Sequence, residues 1–170
     1  PEGEGLRALI NGWILRVQNE AGGLGGSSET PINEFENRLR KLNDLVGGYE
    51  FAEVLLRYVQ AHLDGNNAVQ DAALRWLRAE CSTKTEAYQQ LGVRRIIGDN
   101  DILGSLKLLA TFRRIAGDQG FLVAMDELVT LTHRLPSSRS REGSFLVLLN
   151  MINDCFQNKG HGLGFLLAGT

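Results

Sequence analysis

"GFLVAMDELVTL", Gly120 to Leu131, decides how this chain is read. Five apolar residues, Phe121 to Met125, run straight into two adjacent carboxylates, Asp126 and Glu127. The run is too short for a core helix and is bounded by Gly120 and Asp126. A short, unbroken apolar run fits a strand buried on both faces of a parallel sheet. The competing reading is a helix that starts at the two acids.

The flanks favour the strand. Upstream, "GDNDILGSLKLLATFRRIAGDQG" predicts a helix capped by Asp99 or Asn100, with Ile102, Leu103, Leu106, Leu109, Phe112 and Ile115 on one face and Gly117 at its end. Downstream, "THRLPSSRSREGS" (132–144) reads as a polar loop. A helix follows, with Phe145, Leu148, Leu149, Ile152 and Phe156 on one face. "NKGHG" (158–162) is a turn, and "LGFLLAGT" (163–170) is a second short apolar run. Helix, strand, loop, helix, strand is the order of an α/β crossover unit, so Phe121–Met125 and Leu163–Leu167 are expected to be parallel neighbours.

The residues before Gly98 read as helices. Leu6, Leu9, Ile10, Trp13, Ile14 and Val17 recur at helical spacing, and "GGLGGSSETP" (22–31) breaks the pattern. Thr30 and Pro31 suit the start of a second helix that carries Ile32, Phe35, Leu39, Leu42 and Val46 inward and stops at Gly47–Gly48. A third spans Tyr49 to Leu63 with Phe51, Val54, Leu55, Tyr58 and Val59 inward, and "DGNN" (64–67) is a turn. A fourth covers Ala68 to Glu80 and groups Val69, Ala73, Trp76 and Leu77; a short fifth covers Glu86 to Leu91.

Composition sets bounds. The chain has 170 residues, 43% hydrophobic and 22% charged, ordinary for a globular protein with a sizeable core. A formal net charge of −2 advertises neither nucleic-acid nor membrane binding. Cys81 and Cys155 lie far apart without metal-ligand spacing, as expected of reduced thiols in a cytoplasmic protein. No apolar run approaches the length of a membrane span. The chain starts at Pro1 rather than Met and stops directly after an apolar run, which leads us to expect a fragment of a longer protein.

The two acids then acquire a chemical reading. In a parallel sheet, ligands bind beyond the carboxyl ends of the strands. A hydrophobic strand followed by Asp-Glu is the Walker B pattern of P-loop NTPases. There the Asp holds Mg²⁺, usually through water, because Mg²⁺ takes oxygen ligands and keeps several waters. The Glu is suited to polarise the water that attacks the γ-phosphate. The bland alternative is a strand end whose acids cap the next turn. A polar residue at the tip of the following strand is where many such ATPases carry a γ-phosphate sensor, and that strand ends at Gly169–Thr170.

"LGVRRIIGDND" with its helix, "GFLVAMDELVTL", a polar loop, a helix and "GLGFLLAGT" together resemble a family of bacterial P-loop ATP-binding proteins that includes ATP-binding components of BREX-type phage-defence systems. The resemblance covers Leu91 to Thr170 well; the earlier helices correspond loosely to a helical insertion between phosphate loop and Walker B strand. It implies an ATPase core related to the AAA+ and STAND groups, with Asp126 and Glu127 as the Walker B pair and Thr170 near the sensor position. One departure matters. A phosphate loop needs G-x-x-x-x-G-K-[S/T]. Neither "GGLGGSSET" (22–30) nor "KGHGLG" (159–164) meets it. In the family that loop precedes the helical region, so these residues are not expected to bind or hydrolyse ATP on their own.

The remaining candidates carry less. His62, His133 and His161 are scattered and paired with no cysteine cluster, which argues against a metal site. Arg134, Arg139 and Arg141 could serve as an arginine finger or touch DNA phosphates, but a solvated loop accounts for them as well. Arg94 and Arg95 are read as facing solvent or a partner subunit, and Trp13 and Trp76 as core. The whole is read as α/β but mostly helical: a helical region (1–97) and part of a P-loop ATPase core (98–170). Mg²⁺ and ATP are the implied cofactors. Protein partners or self-association are expected; DNA association finds no support in the net charge. The rival is a non-catalytic helical interaction module whose Asp-Glu pair is structural.

Overall fold

The computed structural model describes residues 4–22, 32–128, 137–157 and 162–169. It is mostly helical, with a two-stranded parallel sheet. The helices are α1 (Glu4–Gly22), α2 (Ile32–Leu39), α3 (Gly48–Leu63), α4 (Asn67–Leu77), α5 (Lys84–Leu91), α6 (Ile102–Ile115) and α7 (Ser138–Phe156). The strands are β1 (Phe121–Met125) and β2 (Leu163–Leu167).

The first six helices share one core. Ile10, Trp13, Ile14 and Val17 of α1 are buried at three- and four-residue spacing, as are Phe51, Val54, Leu55, Tyr58 and Val59 of α3. Trp13 meets Phe35 of α2 and Phe112 of α6 edge-on, with centroids 5.3 and 5.2 Å apart. Such geometry places the positive ring edge on a negative π face. Local signals set the helix ends: Asn66 accepts the Val69 amide at 3.3 Å and Thr83 the Glu86 amide at 3.1 Å. Gly92 closes α5 in the left-handed region at φ 76°.

Two expectations fail in this part. The second helix does not run to Gly47; it ends at Leu39 and tightens into a 3₁₀ turn, Arg40–Asp44. Leu42 stays buried, but the chain is extended at Leu45 and Val46 is 80% exposed. Gly48 starts α3 because a Cβ there would collide with the Leu42 carbonyl. Nor do Asp99 and Asn100 cap α6. Residues Asp99–Asp101 form a 3₁₀ turn, and Asp101 reaches back to accept the Gly98 amide at 3.1 Å.

The two strands are parallel neighbours, paired from Phe121↔Leu163 to Met125↔Leu167, with α7 in the crossover. The sheet is not buried on both faces as expected. Phe121, Val123 and Met125 are half-buried, whereas Leu122, Ala124 and Leu166 are exposed. Alternating burial means that only one face of the strand pair is covered by the described residues. Helix α6 lies against both strands and α7 against β2. Through Phe112 on one side and its strand contacts on the other, α6 joins the helical core to the sheet.

Helix α7 also corrects the sequence reading. It begins at Ser138, so the second half of the expected 132–144 loop is helical; residues 132–136 lie outside the described residues. Its packed side carries Met151, which is buried, and Ser144, Leu148 and Cys155, which are half-buried. Phe145, Leu149 and Phe156, expected inward, are exposed. Phe145 to Leu149 are all apolar, so this stretch defines no stripe, and packing against α6 and β2 selects the face. The Lys107–Asp154 ion pair ties α7 to α6.

Candidate functional site

The site is built on an irregularity at the end of β1. Ala168 donates its amide to the Met125 carbonyl at 2.9 Å and accepts the Leu128 amide at 3.2 Å. In an even parallel ladder the second bond would come from Glu127. One residue is therefore extra, and β1 bulges at Asp126–Glu127. Glu127 takes up the extra length in the left-handed region, at φ 54°. Its amide, displaced from the ladder, is accepted by the Asp126 carboxylate at 2.7 Å. A non-glycine residue in this region costs of order 1 kcal/mol and such strain concentrates at functional sites.

Beside the bulge lies a cavity of about 570 Å³. Met125, Asp126, Glu127 and Leu128 form one wall, Asp99, Asn100, Ile102 and Leu103 a second, and Ser144, Val147, Leu148, Asn150 and Met151 of α7 a third. The polar lining combines carboxylates, amides and the Ser144 hydroxyl, and the rest is aliphatic side chains and methionines. Among the described residues, no lysine or arginine lines it.

That donor set fits one expected cofactor and only part of another. Carboxylate and amide oxygens at an open cavity suit a hydrated Mg²⁺, which binds through one or two carboxylates and retains waters. A triphosphate also needs cationic side chains or a phosphate loop; the described lining has no lysine or arginine, and the sequence has no G-x-x-x-x-G-K-[S/T]. Among the described residues no group of three or more His, Cys, Asp or Glu is arranged to hold a metal by itself.

Asp126 and Glu127 are thus adjacent at the carboxyl end of a parallel strand. Thr170, His133, His161 and Arg134 lie outside the described residues, and Arg139 and Arg141 belong to the first turns of α7. His62 stacks on Tyr58 with centroids 6.4 Å apart. Arg94 lies over the Tyr88 ring at 5.1 Å, and Arg95 is ion-paired with Asp101. Trp13 and Trp76 are buried in the core. The sequence reading missed the second and third walls. Asp99 and Asn100 read as helix caps in the sequence, and Ser144 and Asn150 carry no motif.

No helix among the described residues is long and apolar enough to cross a membrane. No curated protein and no solved structure matches the chain. The family model of the BREX system ATP-binding protein BrxC/D matches residues 1–170, the whole of the sequence. The chain therefore belongs to the BREX system ATP-binding protein BrxC/D family.

Proposed function

We propose that this chain supplies the acidic edge of a Mg²⁺-ATP site in a phage-defence ATPase. The observation that carries the reading is the bulge, which sets two adjacent carboxylates at the carboxyl end of β1 beside an open cavity. Asp126 acts on the metal side, its carboxylate offering oxygens to a hydrated Mg²⁺. Glu127 is the general base, and takes the proton of the attacking water. Mg²⁺, when bound, neutralises charge developing on the phosphate oxygens. In this reading, as the family resemblance implies, Thr170 takes the role of γ-phosphate sensor.

No G-x-x-x-x-G-K-[S/T] occurs in the 170 residues, so in this reading the phosphate cradle comes from outside them. Residues 1–97 then serve as the helical region and 98–170 as part of the ATPase core. Hydrolysis drives remodelling or signalling on a protein partner in the cytoplasm.

A second reading is favoured by a specific observation. Phe145, Leu146 and Phe156 of α7 are 47%, 58% and 85% exposed, and exposed apolar side chains of this kind are what a partner-binding helix would offer. The readings part at Asp126. In the complete protein, Asp126→Asn should weaken Mg²⁺-dependent ATP binding with an unchanged melt; parental affinity would leave only the interaction module.

A further inference from the structure

The second wall of the cavity joins the first residues of α6, Ile102 and Leu103, to Asp99 and Asn100 of the 3₁₀ turn before it. Between α5 and α6 the chain runs without helix or strand until the Asp99–Asp101 turn. It is anchored at Arg95. The Arg95 carbonyl accepts the Trp76 indole N–H at 2.7 Å, which fixes its backbone to the helical core. Its guanidinium lies against Gly47, where a Cβ would come within 3.1 Å of Nη1, and there φ is 78°. From that seat it ion-pairs with Asp101, whose other carboxylate oxygen accepts the Gly98 amide. Asp99 and Asn100, which line the cavity, lie inside the loop that this brace closes.

We propose that Arg95 is a positioning residue for the site: through Asp101 it fixes the turn that carries Asp99 and Asn100 to the cavity shared with Asp126 and Glu127. This rests on the reading of that cavity as the Mg²⁺ end of a nucleotide site. The pair is 36% and 32% exposed, and ion pairs so exposed add little to stability. What the pair does supply is direction. Arg95 touches the core and the turn at once, so displacement of α3 or α4 is transmitted to the cavity wall. Outer residues that orient metal-site groups typically change affinity 10–100-fold when removed.

The test is titration of the complete protein with ATP, with and without Mg²⁺, alongside thermal melts. Arg95→Ala should raise the Mg²⁺-ATP dissociation constant about tenfold with little change in Tm. Arg95→Lys, which keeps the charge, should recover part of the loss. Asp101→Asn should reproduce the defect, and adding it to Arg95→Ala should weaken binding no further. Arg75→Ala breaks a comparable pair, with Glu86, away from the cavity, and should bind as the parent does. Parental binding by Arg95→Ala, in a protein that Asp126→Asn weakens, overturns the positioning role alone. So does an equal loss in Arg75→Ala, since any loosening of the helices would then suffice. Parental binding by Asp126→Asn removes the nucleotide site and the brace's role with it. If Arg95→Ala fails to fold, the near-isosteric Asp101→Asn decides in the same way.

Discussion

The Asp126 carboxylate accepts the backbone amide of Glu127, and the two residues form the bulge between flanking bonds to Ala168. Asp126 therefore has a local structural task besides any chemistry. Asn retains an acceptor oxygen at that position and Ala does not. Asp126→Asn should keep the melt of the parent. Asp126→Ala should lose up to about 1 kcal/mol, because an exposed amide can turn to water. Chemical denaturation of both variants measures this; parental stability in Asp126→Ala would mean that the carboxylate does not hold the bulge.

Glu127 allows strain to be separated from function. At φ 54° a side chain is disfavoured and glycine is not. Glu127→Gly should leave stability unchanged or raise it by up to about 1 kcal/mol, while removing any activity that needs the carboxylate. A loss above about 1 kcal/mol would show that the side chain supports the fold.

How much of this was legible depended on periodicity. Helices α1 and α3 could be read because Ile10, Trp13, Ile14 and Val17, and Phe51 to Val59, each define one stripe against polar neighbours. The strands could be read because glycine or charge bounds each short apolar run. The bulge could not: it needs a left-handed residue, and glutamate gives no sign of one. The packed face of α7 was illegible because Phe145 to Leu149 are apolar all round. The Asp99–Asn100 wall was hidden because "DND" is good cap chemistry, and nothing in the sequence marks the Arg95–Asp101 pair that braces the turn.

Gly120 and Gly162 open the parallel ladder, where Phe121 donates its amide to the Gly162 carbonyl at 2.8 Å. A Cβ on Gly120 would run into that same carbonyl. Gly120→Ala should push the strand starts apart at a cost of roughly 1–3 kcal/mol, the usual range for overpacking. Hydrogen exchange should show protection lost first at Phe121 and Val123. Full protection in the variant would mean that the glycine is there for another reason.

Asp101 should leave an acid signature. The Gly98 amide and then the Arg95 guanidinium stabilise its carboxylate and hold its pKa below the ordinary value. A depressed folded value means that the contribution is fully present above the unfolded pKa, about 3.9, and is lost as pH falls through the folded one. Asp101→Asn should therefore differ most from the parent at neutral pH, and the two melts should converge as pH drops below about 4. A constant gap down to acid pH would mean that the charge of Asp101 contributes nothing to the folded state.

Glu127→Gln bears on the proposed chemistry itself. The substitution keeps size and hydrogen-bonding shape but removes the base. It also leaves the backbone bond to Asp126 intact, because that bond uses only the main chain of Glu127. The complete protein should therefore bind ATP with Mg²⁺ as the parent does. Its single-turnover hydrolysis should fall by about 10²–10⁴, the range attributed to general-base catalysis. Asp126→Asn should differ in kind, losing binding and hydrolysis together because the metal loses its charge partner. Nucleotide affinity and single-turnover rates, with melts to confirm folding, separate the two patterns. If Glu127→Gln hydrolyses ATP at the parental rate, the glutamate is only the extra residue of a bulge, and the base must be sought elsewhere.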